Sequence, residues 1–348
     1  MNFKACFCEQ VKLHPSILPQ DAIKHCFQAA FGAEHLLADV AAARDYFDTE
    51  MEAVESGENP LFERLSPDFC RVNFAVWKNK ALPAEWLFEM FRMTAAEKEE
   101  DGEETFAACM RAVGELTEEN LAPFAHEAWR EALENYERGG IRPVHHSEAY
   151  RKNERPSYRV VAARFVSLLP VLEKMAAGTQ IVAIDGRAAS GKTTLAELIS
   201  SVTGAGVIHM DDFFLPEELR TVERLASPGG NVHYERILKE VIPNLAAEKS
   251  FSYQIFDCEK MQINGLRRVA ASQWKIVEGS YSHHPEFKNH MNLRIFCDIQ
   301  VAEQMKRICR RDGDEAAAMF ETRWIPMEEQ YFKTFRTKES ADIVISAG

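Results

Sequence analysis

The segment Gly186-Arg-Ala-Ala-Ser-Gly-Lys-Thr193 constrains this chain more than any other. It fits the pattern G-x-x-x-x-G-K-[ST], with the apolar run Ile181–Ile184 before it and a helical pattern, Thr194–Ser200, after it. Glycines at both ends let successive backbone N–H groups turn inward around a phosphate, and the helix N-terminus adds partial positive charge. The residues expected to wrap a bound nucleotide are Gly186, Ala189, Ser190, Gly191, Lys192, Thr193 and Thr194. Lys192 supplies a point charge for the β- and γ-phosphates, and Thr193 offers a hydroxyl to the Mg2+ that bridges them. A chance Gly-rich turn would not bring the full motif and both flanking elements together.

The rest of the chain divides around that loop. Its 348 residues suffice for two domains. Up to about residue 177 the apolar residues follow a helical period: Ile23, Cys26, Phe27, Ala30 and Phe31, then Phe106, Cys109, Met110 and Val113. Tyr158, Val161, Ala162, Phe165, Leu168, Leu169 and Leu172 extend the same pattern. Acidic, turn-rich stretches at Glu55–Pro60 and Glu97–Glu104 read as solvated connections. From Thr179 onward short apolar runs alternate with helical patterns: Ile181–Ile184, Val207–Met210, Lys275–Val277, Leu293–Ile299 and Ile343–Ile345. That texture predicts a parallel sheet covered on both faces. The expectation is therefore an α/β domain of the P-loop NTPase type over 178–348, preceded by a mostly α-helical domain over 1–177 whose role the sequence leaves open.

Composition narrows the partners. No apolar run approaches the length of a membrane span, and the start lacks the pattern of a secretory signal, so a cytoplasmic protein is the default expectation. Eight cysteines, with Cys26, Cys109, Cys297 and Cys309 inside apolar stretches, fit reduced thiols. Cys6 and Cys8 form a C-x-C pair with no second ligand pair at zinc-like spacing. A net charge of −13 argues against nucleic acid and anionic membranes as partners. A homo-oligomer is left open.

A phosphate loop alone does not separate kinases from GTPases, transporter ATPases or helicases. The chain has neither an N-K-x-D guanine signature nor an L-S-G-G-Q transporter signature. Asp211 and Asp212 follow directly on the second strand, at the sheet edge where ligands bind. A carboxylate there can take the proton of an attacking hydroxyl or hold magnesium and its water; the plain alternative is a helix cap. Glu278 ends the strand Trp274–Val277, where a second acidic group near Mg2+ belongs. Arg307, Arg310 and Arg311, together with Lys306, stand on a predicted helix. The three arginines are spaced to share one face, as a phosphate clamp or as an exposed basic surface.

Taken together, I-D-G-R-A-A-S-G-K-T-T (184–194), H-M-D-D-F-F (209–214), I-V-E-G-S-Y (276–281) and the Arg-rich segment 306–311 resemble the uridine kinase and phosphoribulokinase family of P-loop kinases. The resemblance implies that Asp211 is the base and Glu278 the acidic residue near Mg2+. It also implies that the three arginines sit in a lid, with ATP and Mg2+ as cofactors and a small-molecule hydroxyl as acceptor. Tyr253 stands where uridine kinases place an aromatic residue against the base. There are departures: Ser227–Glu235 lacks the Asp-rich stretch that grips ribose, and Phe256-Asp257-Cys258 replaces a polar, histidine-bearing run. These put the acceptor in question and leave ATP use intact.

Phe213, Phe214, His233, Tyr234, Tyr253 and Phe256 would, if they converge, form an aromatic cleft for a planar ring, and Phe213, Tyr234 and Tyr253 are the substrate contacts taken from it. In the N-terminal half, His145, His146, Ser147, Glu148, Tyr150, Arg151, Arg155, Tyr158 and Arg159 form a polar cluster between Pro143 and Pro156. With His14 or His35 it could make a His/Glu metal site; a helix-capping or interdomain hydrogen-bond network is the alternative. The functional expectation is a kinase that passes the γ-phosphoryl group to a hydroxyl, with a nucleoside such as uridine leading and pantothenate, a sugar phosphate or glycerate behind it. A nucleotide-binding regulator with a non-productive loop, or a polynucleotide end kinase, are the competing classes.

Overall fold

The structure is a computed structural model that describes residues 2–33, 39–55, 57, 60–257 and 260–346. The described chain divides into two compact units, Met1–Leu169 and Pro170–Gly348.

The first unit is built from helices around a small antiparallel sheet. Its long helices are Phe3–Leu13, Pro19–Phe31, Val40–Ala53, Ala84–Ala96, Gly102–Glu118 and His126–Glu137. The sheet joins β1 (Phe62–Arg64), β2 (Phe69–Asn73) and β3 (Tyr158–Ala162) in that order. β3 corrects the expectation of one helical stretch from Tyr158 to Leu172. Tyr158–Ala162 is a strand paired antiparallel with β2, Ala163–Leu168 is a 3-10 turn, and only Leu169–Ala176 is α-helix. The physical reason lies in burial: Arg159–Ala162 is buried on both faces, so no polar-apolar alternation marks the strand. β-branched Val160 and Val161 favour the extended form.

The second unit is a five-stranded parallel sheet flanked by helices. Its strands are β4 (Ile181–Gly186), β5 (Gly206–His209), β8 (Lys275–Glu278), β9 (Leu293–Asp298) and β10 (Ile343–Ser346). Their order across the sheet is β10-β9-β4-β8-β5, all parallel. β4 and β8 are buried along their whole length, which is why they read as unbroken apolar runs. A hairpin, β6 (Phe251–Asp257) with β7 (Gln262–Val269), packs beside the sheet and was not expected from the sequence. Because every strand of the sheet runs the same way, Gly186, His209, Glu278 and Asp298 end at one edge. That edge is where the chemistry-bearing residues gather.

Candidate active site

Loop 186–191 leaves β4 and feeds the helix Lys192–Thr203, as the motif requires. Gly186 has φ +137°, and a Cβ there would stand 2.0 Å from the Cys297 carbonyl oxygen of β9. Only glycine fits on both counts. Gly191 at the helix N-cap has φ +93° and sits in open space, so its need is conformational alone. Lys192 Nζ donates to the carbonyl oxygens of Gly186 at 2.8 Å and Arg187 at 2.9 Å, which holds the ammonium against the loop.

Asp185, the residue before the loop, is fully buried and had no place in the sequence-based expectations. Its Oδ1 accepts from the N–H groups of Gly186 at 2.7 Å and Tyr281 at 3.1 Å. Its Oδ2 accepts from His283 N–H at 3.0 Å and from the Tyr331 hydroxyl at 3.0 Å. One carboxylate thus fixes the start of the phosphate loop, the turn after β8 and the helix Ile325–Phe335.

The carboxyl edge opens on a cavity of about 1210 Å3. Ala189 to Thr194, Asp211, Glu278, Arg307, Arg310 and Arg311 all line it. Of the residues expected in the nucleotide and catalytic sets, only Gly186 stands behind the wall, as the turn that shapes it. Glu278 is buried; its Oε2 accepts from Thr193 Oγ1 at 3.1 Å, and its Oε1 faces His209 Nδ1 at 2.6 Å. Asp211 opens onto the cavity but is hemmed in by protein. Although its side chain is exposed to the cavity, desolvation by the surrounding protein, and then the neighbouring Glu278, hold its carboxyl above the ordinary carboxylate range, against the opposing pull of Lys192. The adjacent Asp212 has a different task. It is buried, accepts from the Tyr253 hydroxyl at 2.9 Å, and takes two bonds from Arg267, Nε at 2.6 Å and Nη2 at 3.1 Å.

The helix Val301–Asp312 carries the arginine face expected at 307, 310 and 311. Arg307 Nε donates to Glu303 at 2.9 Å and Arg311 pairs with Asp312 at 2.7 Å. Arg220 and Arg323 add further guanidiniums to the lining. Glu328 is a further carboxylate on the wall: it is buried, accepts from Ala188 N–H at 3.1 Å and from Ser280 Oγ at 2.5 Å, and burial holds it above the ordinary range. Among the described residues, Ser190 Oγ and Asn231 Oδ1 on the same wall are buried without a hydrogen-bond partner. Unsatisfied polar atoms lining a cavity suit a polar ligand that completes them.

None of the three expected acceptor contacts lines this cavity. Phe213 and Tyr253 are buried in the unit's apolar core with Ile237, Val241, Val277 and Phe296. Their rings lie 5.0 Å apart, and Tyr253 spends its hydroxyl on Asp212. Tyr234 is half-buried, stacks on His284 at 5.0 Å and accepts from Arg224 at 3.0 Å; it too lies outside the lining. The aromatic residues that do line the cavity include Phe214 and Trp324. Core packing won over cleft formation because the hairpin β6–β7 carries Tyr253 inward, a pairing with no local signal at Tyr253 itself.

The donor set suits a hard cation. Thr193 and the carboxylates of Glu278 and Asp211 are oxygen donors, and Mg2+ commonly takes one or two of these and the rest from phosphate and water. Among the described residues, no three acidic, histidine or cysteine side chains converge to hold an ion. In the first unit, His14 and His146 enter hydrogen bonds, Ser147 caps the helix Glu148–Glu154 through Tyr150 N–H at 3.1 Å, and His35 lies outside the described residues. No helix of the described residues is long and apolar enough to cross a membrane. The free cysteines include Cys6 and Cys26, both buried, and the half-buried Cys8.

A parallel sheet, a phosphate loop in its central strand and carboxylates at the neighbouring strand ends define a P-loop fold with a nucleotide-type site. No protein-family model matches the chain. It is similar to uridine-cytidine kinase C of Dictyostelium discoideum, 28% identical over 133 residues, covering 37% of this chain and 29% of that protein. It is similar also to uridine kinase-like protein 4 of Arabidopsis thaliana, 25% identical over 181 residues, covering 48% of this chain and 38% of that protein. The chain thus spans about a third of the length of the curated relatives it matches. A solved structure described as that of a "Possible Uridine Kinase" from Bacillus stearothermophilus matches with a TM-score of 0.39 and 19% identity, over 52% of this chain and 99% of that one. The resemblance to the uridine kinase and phosphoribulokinase group of P-loop kinases therefore holds at low identity.

Proposed function

We propose that residues 178–348 form an ATP-dependent small-molecule kinase that passes the γ-phosphoryl group to a hydroxyl, with a nucleoside such as uridine as the leading acceptor, and that residues 1–177 form a separate domain. The observation that carries the reading is that Lys192, the Thr193–Glu278 pair, Asp211 and the three arginines line a single cavity. Lys192 and the loop amides grip the phosphates. Thr193, Glu278 and Asp211 would hold Mg2+, which when bound neutralises charge on the β- and γ-phosphates. Asp211 takes the acceptor's proton as its oxygen attacks phosphorus and the bond to the bridging oxygen breaks, leaving ADP. Arg307, Arg310 and Arg311 stabilise the charge that spreads over the phosphoryl oxygens, and the helix that carries them closes over it.

Positioning and charge account for the chemistry, and the acceptor is chosen elsewhere on the wall. Phe214 and Trp324 offer it aromatic surface, and Asn231 offers it an unsatisfied oxygen. The net charge of −13 over the whole chain favours a small-molecule acceptor over a nucleic acid strand. The experiment is an acceptor screen with ATP and Mg2+, scoring ADP release against nucleosides, pantothenate, sugar phosphates and glycerate. Release that depends on uridine or cytidine supports the full reading. Release that depends on another hydroxyl compound moves the acceptor and keeps the chemistry. ATP binding without release, across the panel, contradicts the kinase reading and favours a nucleotide-binding regulator.

A further inference from the structure

The first unit holds a cavity of about 480 Å3 whose floor is polar and built from distant parts of the sequence. His14, Glu63, Arg71, Tyr150, Glu154 and Tyr158 form that floor. Behind it runs a continuous hydrogen-bond chain. Asp21 meets His146 Nδ1 at 2.9 Å, and His146 Nε2 meets the Tyr158 hydroxyl at 2.6 Å. Gln28 links Tyr158 to Arg71, accepting from Nη2 at 2.8 Å and Nε at 3.1 Å. Arg71 Nη1 donates to Gln10 at 2.9 Å, and Gln10 donates to Glu63 at 3.2 Å. Glu63 and Glu154 then hold the two nitrogens of His14, each at 3.0 Å. Burying so many polar groups is costly, and an apolar filling of the same volume would serve stability as well.

The charges along this floor are unevenly matched. Arg71 is 3% exposed, yet among the described residues every side chain that accepts a hydrogen bond from it is neutral: Gln28, Gln10 and the Tyr150 hydroxyl. The Tyr158 ring lies 4.6 Å from its guanidinium and supplies no charge either. The buried guanidinium faces the cavity with, among the described residues, no carboxylate within ion-pair distance; Glu63 acts on it only through space, which leaves room for a closer anion. The opposite end has the reverse balance. Burial works against a charged His14, but Glu63 and Glu154 outweigh it and raise its pKa. Two carboxylates against one imidazole leave this end negative whichever form His14 takes. Glu55, also on the lining, adds to that sign, whereas Glu50 is paired with Arg159 at 2.5 Å and Arg155 is a cation on the same lining.

We propose that this cavity binds a small zwitterion of the α-amino-acid class, its carboxylate on Arg71 and its ammonium toward the Glu63–His14–Glu154 end. The volume is in the range of small-molecule sites and generous for one amino acid. A polyanion would meet the glutamates, and a simple cation would meet Arg71.

The test is isothermal titration of the full-length chain with each standard L-amino acid in turn, with acetate and inorganic phosphate as control probes. At least one amino acid should bind saturably, with Kd on the order of 1 mM or tighter. Acetate and phosphate should bind at least about tenfold more weakly. Glu154→Gln, at the half-open edge of the floor, should weaken the amino acid by about tenfold, and Arg71→Lys should weaken it further while its melting curve stays cooperative; about 1.4 kcal/mol corresponds to each tenfold step. Should Arg71→Lys fail to fold, Glu154→Gln decides alone. No saturable binding by any amino acid overturns the proposal. So does equal binding of acetate or phosphate, or amino-acid binding that Glu154→Gln leaves unchanged.

Discussion

Thr193 Oγ1 donates to Glu278 Oε2 at 3.1 Å, joining the start of the helix after the phosphate loop to the last residue of β8. His209, in register with Glu278 on the neighbouring strand, faces the other carboxylate oxygen at 2.6 Å. The sheet register thus fixes where a negative charge stands relative to the loop. Thr193→Ala and Glu278→Gln should each lower kcat/KM by on the order of 100-fold, with a rise in the Mg2+ concentration needed. The double variant should lose little more than either alone, because the two groups act as a unit. Steady-state kinetics across a Mg2+ series checks this; full additivity would argue against a shared role.

The neighbours Asp211 and Asp212 should separate cleanly. Asp211→Asn should keep ATP affinity and lose on the order of 100-fold or more in turnover, the scale of general-base catalysis. Asp212→Asn should act on stability, because Tyr253 and Arg267 both bind that carboxylate. With Arg267 side chain 40% exposed, screening reduces the loss to roughly 1–3 kcal/mol. Thermal melts and turnover measured on both variants decide the assignment, and near-normal turnover in Asp211→Asn removes it as the base.

How much of this was legible beforehand follows from local signals. The loop, β4, β5, β8, β9 and β10 could be read because buried parallel strands are short apolar runs and the loop is a contiguous motif. Asp211, Glu278 and the arginines could be placed because strand ends and helix faces are local properties. Glu328 and Asp185 could not: each owes its position to partners far along the chain, Ala188 and Ser280 for one, Tyr281, His283 and Tyr331 for the other. Tyr253 misled for the same reason, since its direction is set by the hairpin and by Asp212. β3 misled because Tyr158, Val161, Ala162 and Phe165 satisfy a helical spacing while being buried on a strand and a 3-10 turn.

Asp185 should prove a stability determinant without touching the phosphates. An Asn at this position sets its NH2 against two backbone N–H groups in one orientation and against the His283 N–H in the other, where only the Tyr331 hydroxyl could turn to accept. Asp185→Asn should destabilise the second unit by about 2–4 kcal/mol. Urea unfolding followed by near-UV circular dichroism checks it, and a change under about 0.5 kcal/mol would contradict the account.

Acid should destabilise both units. Burial lowers His146 to about 4 and His284 to about 4, so each is neutral when folded and takes a proton more readily when unfolded. Their contribution is complete above about pH 6.5, the unfolded histidine value, and falls as pH drops from there toward 4. His14, with its pKa raised, works the other way: its stabilising charge is present below pH 6.5 and is lost as pH rises through the folded value. Melting temperature should therefore fall between pH 6.5 and 4.5, and His284→Gln should flatten part of that slope. An unchanged slope in the variant would show that this histidine does not titrate as described.

The most direct measurement follows the phosphoryl group itself. ATP carrying oxygen-18 at the non-bridging γ positions is incubated with Mg2+, the full-length chain and uridine, and the products are weighed by mass spectrometry. Transfer in the 186–193 cavity predicts uridine monophosphate that carries all of the labelled non-bridging oxygens, and no such product from Lys192→Ala. Label found only in inorganic phosphate, or uridine monophosphate formed equally well by Lys192→Ala, would contradict a uridine phosphotransferase centred on this loop.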